Sequence, residues 1–226
     1  MIYDRIREAI FINRPNRFIA NIVIDGKPAV CHVKNTGRCK ELLIENAKIY
    51  VQETDNPTRK TKYDLISVVK GDRLVNIDSQ APNKVFYEWL MKNQQSNAIE
   101  NVKAEVVYKN SRFDFFIETR QRKILTEVKG VTLEEGGVVS FPDAPTERGL
   151  KHVLELTESI EDGFSPLVVF IIQMKDVSYF TPNVVTHEAF AKALSIASFK
   201  GVDILALDCE VTRDSITAKD YVKVFL

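Results

Sequence analysis

The sequence predicts an α/β (α+β) chain of two domains, a small closed five-stranded β-barrel followed by an α/β domain with a sheet of its own. Two observations carry this reading. Residues 1–80 hold short runs that alternate apolar and polar side chains between turn residues, the period-two pattern of half-buried strands. Residues 83–226 mix three successive strand-like runs with helix-periodic stretches and one wholly apolar run, as in a sheet covered by helices. Between them Ala81-Pro82-Asn83 combines turn chemistry with an N-cap for a following helix. The expected domains are therefore residues 1–82 and 83–226.

The elements follow in order. After a short amphipathic start, residues 17–25 place Phe18, Ala20, Ile22 and Ile24 on one face. Asp25-Gly26 is a hairpin turn leading into a second extended run to Val33. Residues 37–44 read as a short helix, and strands follow at 47–53, 63–70 and 73–78. Five short strands in so few residues suit an OB-like barrel, the small five-stranded template that binds oligonucleotides on an open face. A helix through Val85, Phe86, Trp89 and Leu90 opens the second domain. Strands at 103–109, 112–118 and 123–131 form a meander, a helix spans 146–160, and the apolar strand 167–172 follows. A helix at 187–199 and a strand at 202–207 complete the order. The segment 221–226 either closes the second sheet or pairs with another subunit, which keeps a homodimer open.

Composition narrows the functional classes. The chain has 226 residues, 31 basic and 31 acidic side chains, 45% hydrophobic and 27% charged residues. That is the make-up of a folded globular protein rather than a disordered one. The longest apolar run, Leu167–Ile172, falls far short of a membrane helix. Asp4, Arg5, Arg7 and Glu8 stand where a secretion signal needs an apolar core, so a cytoplasmic location is expected. Cys31, Cys39 and Cys209 lack C-x-x-C spacing and suggest neither a disulfide framework nor a zinc site. The glycines form no phosphate loop, and no nucleophile elbow or serine triad is evident. Zero net charge conceals an asymmetry: residues 1–80 carry 14 basic and 10 acidic side chains, so the first half is mildly basic and the second mildly acidic. A basic half suits a polyanion.

The chemistry-bearing residues lie in the meander. Asp114 falls in its second strand and Glu127-Val128-Lys129 in its third, and the period of two puts Glu127 and Lys129 on one face. Two carboxylates with a backbone carbonyl supply the hard oxygen donors that Mg²⁺ prefers, with Mn²⁺ as a substitute. A metal held there activates water, while a lysine offsets charge on a phosphoryl group, the chemistry of phosphodiester hydrolysis. Glu88 and Glu105 are further acids of interest. The D…ExK spacing and the element order resemble the restriction-endonuclease-like (PD-(D/E)XK) fold. At helical spacing Arg148, Lys151, His152 and Glu155 share one face of the next helix, where a cationic stripe faces phosphate or His152 simply packs.

Several separated motifs together resemble the sugar fermentation stimulation protein A (SfsA) family. They are Arg17-Phe18, His32-Val33-Lys34-Asn35-Thr36-Gly37-Arg38 with Glu41-Leu42-Leu43, Ser111-Arg112-Phe113-Asp114-Phe115, Glu127-Val128-Lys129 and residues 141–152. They run in order along most of the chain. Lys34 stands where the family's H-x-P-N-T-G motif carries proline. The resemblance implies an N-terminal OB-like domain, a restriction-endonuclease-like domain, DNA binding and a regulatory role in sugar (maltose) catabolism.

The expected DNA contacts are Arg17, Lys34, Asn35, Thr36 and Arg38 around the tight turn, Lys60 and Lys62 with Arg59 in a basic loop, and Arg112, Arg148, Lys151 and His152 in the second domain. Such groups grip the backbone of double-stranded DNA. With no finger or helix-turn-helix signature, the expected binding is weakly sequence-specific and salt-dependent. Two functions follow: a DNA-binding protein on a nuclease scaffold, or a Mg²⁺-dependent nuclease acting through Asp114, Glu127 and Lys129.

Overall fold

Alternation of buried and exposed side chains begins earlier than the sequence suggested, at Ala9 and Phe11, and this places a long strand at the start of the barrel. A computed structural model describes every residue except Thr36, Ser96 and Asn97. The barrel comprises β1 (Ile6–Asn16), β2 (Ile19–Ile24), β3 (Lys27–Val33), β4 (Lys48–Glu53) and β5 (Tyr63–Lys70). β1 pairs antiparallel with both β2 and β4, β4 pairs with β5, and a parallel pairing of Cys31–Val33 with Tyr63–Leu65 closes the circuit. Five strands thus close the barrel, but they are not the five expected. The amphipathic start is β1, and the last expected strand, β6 (Arg73–Asn76), hangs on the edge of β5 outside the circuit. Phe11, Ile22, Ile49, Val51 and Leu65 fill the interior.

The expected helix over 37–44 is a run of turns. Cys39 adopts the left-handed region at φ 45°, which a helix cannot accommodate, and Cys39 and Leu42 are buried as anchors of the loop.

The second domain opens with α1 (Ala81–Lys92), whose Pro82 sits in the first turn where no backbone N–H is needed. The antiparallel meander β7 (Ile99–Tyr108), β8 (Ser111–Thr119) and β9 (Lys123–Val131) follows. Two short strands, β10 (Leu133–Glu135) and β11 (Val138–Phe141), lead to α2 (Glu147–Glu158) and the wholly apolar β12 (Leu167–Ile172). Then come β13 (Tyr179–Pro182), α3 (Val184–Phe199), β14 (Asp203–Val211), β15 (Ile216–Tyr221) and β16 (Lys223–Val224). The main sheet has the order β15-β14-β12-β9-β8-β7, with β12 parallel to both neighbours, as crossovers through α2 and α3 require. A smaller sheet, β10-β11-β13-β16, takes up the C-terminal strand within the same chain.

Alternation along β12 divides two cores. Val169 and Ile171 face α1 with Val128, while Val168, Phe170 and Ile172 face α2 and α3 with Leu125 and Val131. Each large apolar side chain buried there contributes about 1.5–3 kcal/mol. Barrel and sheet meet in a polar seam. The buried Gln173 accepts from the Asn76 N–H at 2.9 Å through its backbone and donates to Asn76 Oδ1 at 2.9 Å, while Glu134 takes Lys70 at 2.7 Å and Arg73 at 2.6 Å. Among the described residues no helix is long and apolar enough to cross a membrane.

Candidate active site and interdomain cleft

The β8–β9 ladder runs from Glu118↔Lys123 to Phe115↔Thr126 and stops. Beyond that point the Asp114 side chain takes the place of the strand. Its Oδ2 accepts the Val128 N–H at 2.7 Å and its Oδ1 accepts from Asn83 Nδ2 at 2.7 Å. The flanking phenylalanines part to opposite faces, Phe113 with its ring 5.4 Å from His152 and Phe115 5.7 Å from Phe86 on α1. Asp114 is held in the split between them.

Glu127, only 4% exposed, faces α2. Its Oε1 lies 2.6 Å from His152 Nδ1 and 2.5 Å from Lys129 Nζ, whereas its Oε2 is buried with no hydrogen-bond partner among the described residues. Burial acts most strongly on both carboxyls, and the neighbours decide the outcome. On Asp114, burial and then the Glu127 charge push the pKa up against the Val128 N–H, Asn83 and Lys129. On Glu127, burial also pushes upward, but His152 and Lys129 overcome it and hold the carboxyl below its ordinary value. A cation between the two carboxylates would relieve their repulsion and give the orphaned Oε2 a partner. Among the described residues no group of three or more His, Cys, Asp or Glu side chains is arranged to hold a metal ion. The two carboxylates that remain would suit a hard cation filling its other positions with water or phosphate oxygens.

The other two acids lie elsewhere. Glu88 is exposed and bonds the N-terminal amine of Met1 at 2.5 Å, and the exposed Glu105 faces Arg112 at 3.8 Å. Asn83 and His152 take their place at the centre. Asn83 reads in the sequence as a helix cap, because its partner is 31 residues away and nothing local announces it.

A cleft of 850 Å³ runs between the barrel and the second domain. Arg17, Asn35, Arg38 and Lys40 line it, and so do Pro82 and Gly130, the chain neighbours of Asn83 and Lys129 in the acidic centre. Arg14, missed in the sequence, builds this wall. Its guanidinium donates to the carbonyls of Arg17, Asn35, Gly37 and Arg38 at 2.6, 2.5, 2.9 and 3.1 Å. Asn35 Oδ1 accepts from Gly37 N–H at 2.7 Å, so the Asn35 side chain acts within its own loop. A side chain at Gly37 would collide with the Asp143 carboxylate, which accepts the Arg38 N–H at 2.9 Å. Arg17 and Arg38 themselves are exposed.

The remaining expected contacts divide. Thr36 lies outside the described residues. Lys34, an expected DNA contact, is not presented to solvent: its ammonium turns inward, 3.4 Å from Asp64 and 3.4 Å from Asp78, with the side chain 16% exposed. Arg59 is bound by the Asp64 carboxylate, Lys62 pairs with Glu53 at 2.7 Å, and Lys60 is exposed outside the cleft. His152 is buried against Glu127 rather than presented to solvent. Arg112, Arg148 and Lys151 surround a second, smaller cavity on the far side of the His152 ring.

Comparison with known proteins matches this architecture. Residues 12–77 match the SfsA N-terminal OB domain, and residues 80–215 match the sugar fermentation stimulation protein RE domain. A sugar fermentation stimulation protein homolog of Desulfitobacterium hafniense is 61% identical over 226 residues, covering 100% of this chain and 99% of that one. The homolog of Clostridium beijerinckii is 57% identical over 226 residues and all of both chains. The solved structure of Pyrococcus furiosus SfsA in complex with Ca²⁺ superposes with a TM-score of 0.90 at 28% identity, covering 100% of this chain and 98% of that one. The chain belongs to the sugar fermentation stimulation protein (SfsA) family.

Proposed function

We propose that this chain is a cytoplasmic DNA-binding protein that grips the backbone of double-stranded DNA in the cleft between its two domains, and that the role in sugar catabolism suggested by the family name is exerted there. The observation that carries the reading is the cleft itself, which exposed Arg17 and Arg38 line together with Pro82 and Gly130, the chain neighbours of Asn83 and Lys129. Arginine forks suit phosphate oxygens and carry no sequence information. Binding is therefore expected to be similar for duplexes of unrelated sequence and to weaken steeply with salt. Fluorescence anisotropy on two such duplexes across a salt series tests this; strong discrimination between them, or salt-independent affinity, contradicts it.

A second reading, hydrolysis of the DNA backbone, is favoured by the orphaned Glu127 Oε2 beside Asp114. Mg²⁺ bound by Asp114 and Glu127 would supply an activated water and charge stabilisation. The Pyrococcus relative's Ca²⁺ supports a divalent cation in this chain as well. His152 and Lys129 hold Oε1 and leave the buried Oε2 without a protein partner, Asn83 fixes Asp114, and Lys129 would place a positive charge beside the reacting phosphate. With Mg²⁺ or Mn²⁺, the protein is expected to cleave duplex, single-stranded, flap or branched DNA, with Glu127→Gln and Lys129→Ala each lowering the rate about 100-fold or more. No cleavage on any of these substrates, with binding intact, leaves DNA binding without hydrolysis.

A further inference from the structure

We infer that the cavity behind His152 is a second phosphate subsite, holding the phosphate one nucleotide away from the one addressed by Asp114 and Glu127; this rests on the proposed action on DNA. The cavity, 390 Å³ in volume, lies where the start of β8 meets the first turns of α2. It is separate from the interdomain cleft, with which it shares no lining residue.

Three cationic side chains surround it, and little in the protein claims them. Among the described residues the exposed Arg148 has one hydrogen bond, through Nε to His152 Nε2 at the outer limit of 3.5 Å. Arg112 has a long approach of 3.8 Å to the exposed Glu105. Lys151 donates to the Asn110 carbonyl at 2.8 Å and lies 3.6 Å from Glu155, which leaves further N–H donors. The one acid on the lining, Glu147, has its carboxylate 3.4 Å from His187 Nε2. The second observation is Ser111. It lines the cavity at 5% exposure, and its buried hydroxyl has no hydrogen-bond partner among the described residues. An unsatisfied buried hydroxyl is costly, and an anion oxygen accepting from it removes that cost.

The position identifies the anion. The His152 ring is the partition: Nδ1 touches the Glu127 carboxylate, and Nε2 faces Arg148 and the cavity. The two sites lie on opposite sides of one imidazole ring, which suits neighbouring phosphates of one strand. A phosphate here fixes the strand's direction over the acidic centre.

The test uses full-length protein with EDTA and, as probe, a nucleoside bisphosphate carrying one phosphate on each side of the sugar, titrated by calorimetry. Saturable binding is expected, weakened about tenfold or more by Arg148→Ala and by Arg112→Ala, because each removes a charge-assisted hydrogen bond. Arg148→Lys, which keeps the charge, is expected to restore part of it. Arg17→Ala, in the cleft, is expected to change it less than twofold. No saturable binding, or equal binding by wild type and both alanine variants, overturns the subsite. Probe binding that disappears with Arg148→Ala in a protein without affinity for DNA leaves an anion pocket but overturns its assignment to a DNA strand. Duplex binding without probe binding leaves the cleft reading intact and overturns the subsite alone.

Discussion

Asp114, Glu127 and Lys129 were legible because strand periodicity fixes which side chains share a face, and a meander brings neighbouring strands together whatever the loops do. Asn83, Arg14 and the inward turn of Lys34 were not. Each depends on a partner distant in sequence: Asn83 on Asp114, Arg14 on the carbonyls of the 35–38 turn, Lys34 on Asp64 and Asp78. A lysine beside a glycine turn reads as a solvated phosphate contact until two buried carboxylates appear beneath it. The cysteines give a prediction at the same scale. Cys31, Cys39 and Cys209 are free and buried, and desolvation pushes the Cys31 and Cys39 thiols up to about 12. The thiolate is the reactive form. In native protein at neutral pH none of the three is expected to react with a thiol-specific chromogenic reagent within the time that urea-unfolded chain reacts fully. Rapid modification of any one without unfolding contradicts the burial described.

At the scale of elements, the long periodic segments were readable and the short or irregular ones were not. The helix expected at 146–160 is α2, capped by Thr146 accepting from Gly149 N–H at 3.0 Å, and the apolar 167–172 run is β12, buried on both faces as a central parallel strand must be. β1 escaped because Arg7 and Glu8 near its start and Arg14 and Pro15 near its end leave only a short apolar centre, and closing the barrel, a long-range event, is what orders it. The small sheet escaped because strands of two to four residues carry too little pattern. β9 carries a specific demand at Gly130. A Cβ there would stand 2.5 Å from Gln173 Oε1 and 2.7 Å from Pro82 Cγ, in the seam that joins the domains beside Lys129. Gly130→Ala is expected to destabilise the protein by about 1–3 kcal/mol through overpacking, read as a lower urea midpoint. An unchanged midpoint means that the seam yields without cost.

For the whole molecule, the seam makes domain docking part of stability, and Glu134 is its most responsive group. Burial pushes its carboxyl up, but Lys70, the Gly137 N–H and Arg73 overcome this and bring the pKa down from 4.5 to about 2. A carboxyl depressed in the folded state adds stability above its unfolded value and loses it as pH falls, here between 4.5 and about 2. Glu134→Gln is expected to cost on the order of 2 kcal/mol at neutral pH and to flatten the acid limb of the stability curve in that window. A variant with the wild-type acid limb contradicts that role. The molecule's function depends on the same docking, since the cleft exists only between the two domains and sequence charge alone, zero overall, hardly signals it. The most direct measurement is anisotropy titration of a fluorescent duplex over a salt series with wild type and the Arg17→Ala/Arg38→Ala double variant. The account predicts weaker binding and a log–log salt slope shallower by about two in the variant, one for each lost phosphate contact. The same affinity and the same slope in both proteins contradict DNA binding in the cleft.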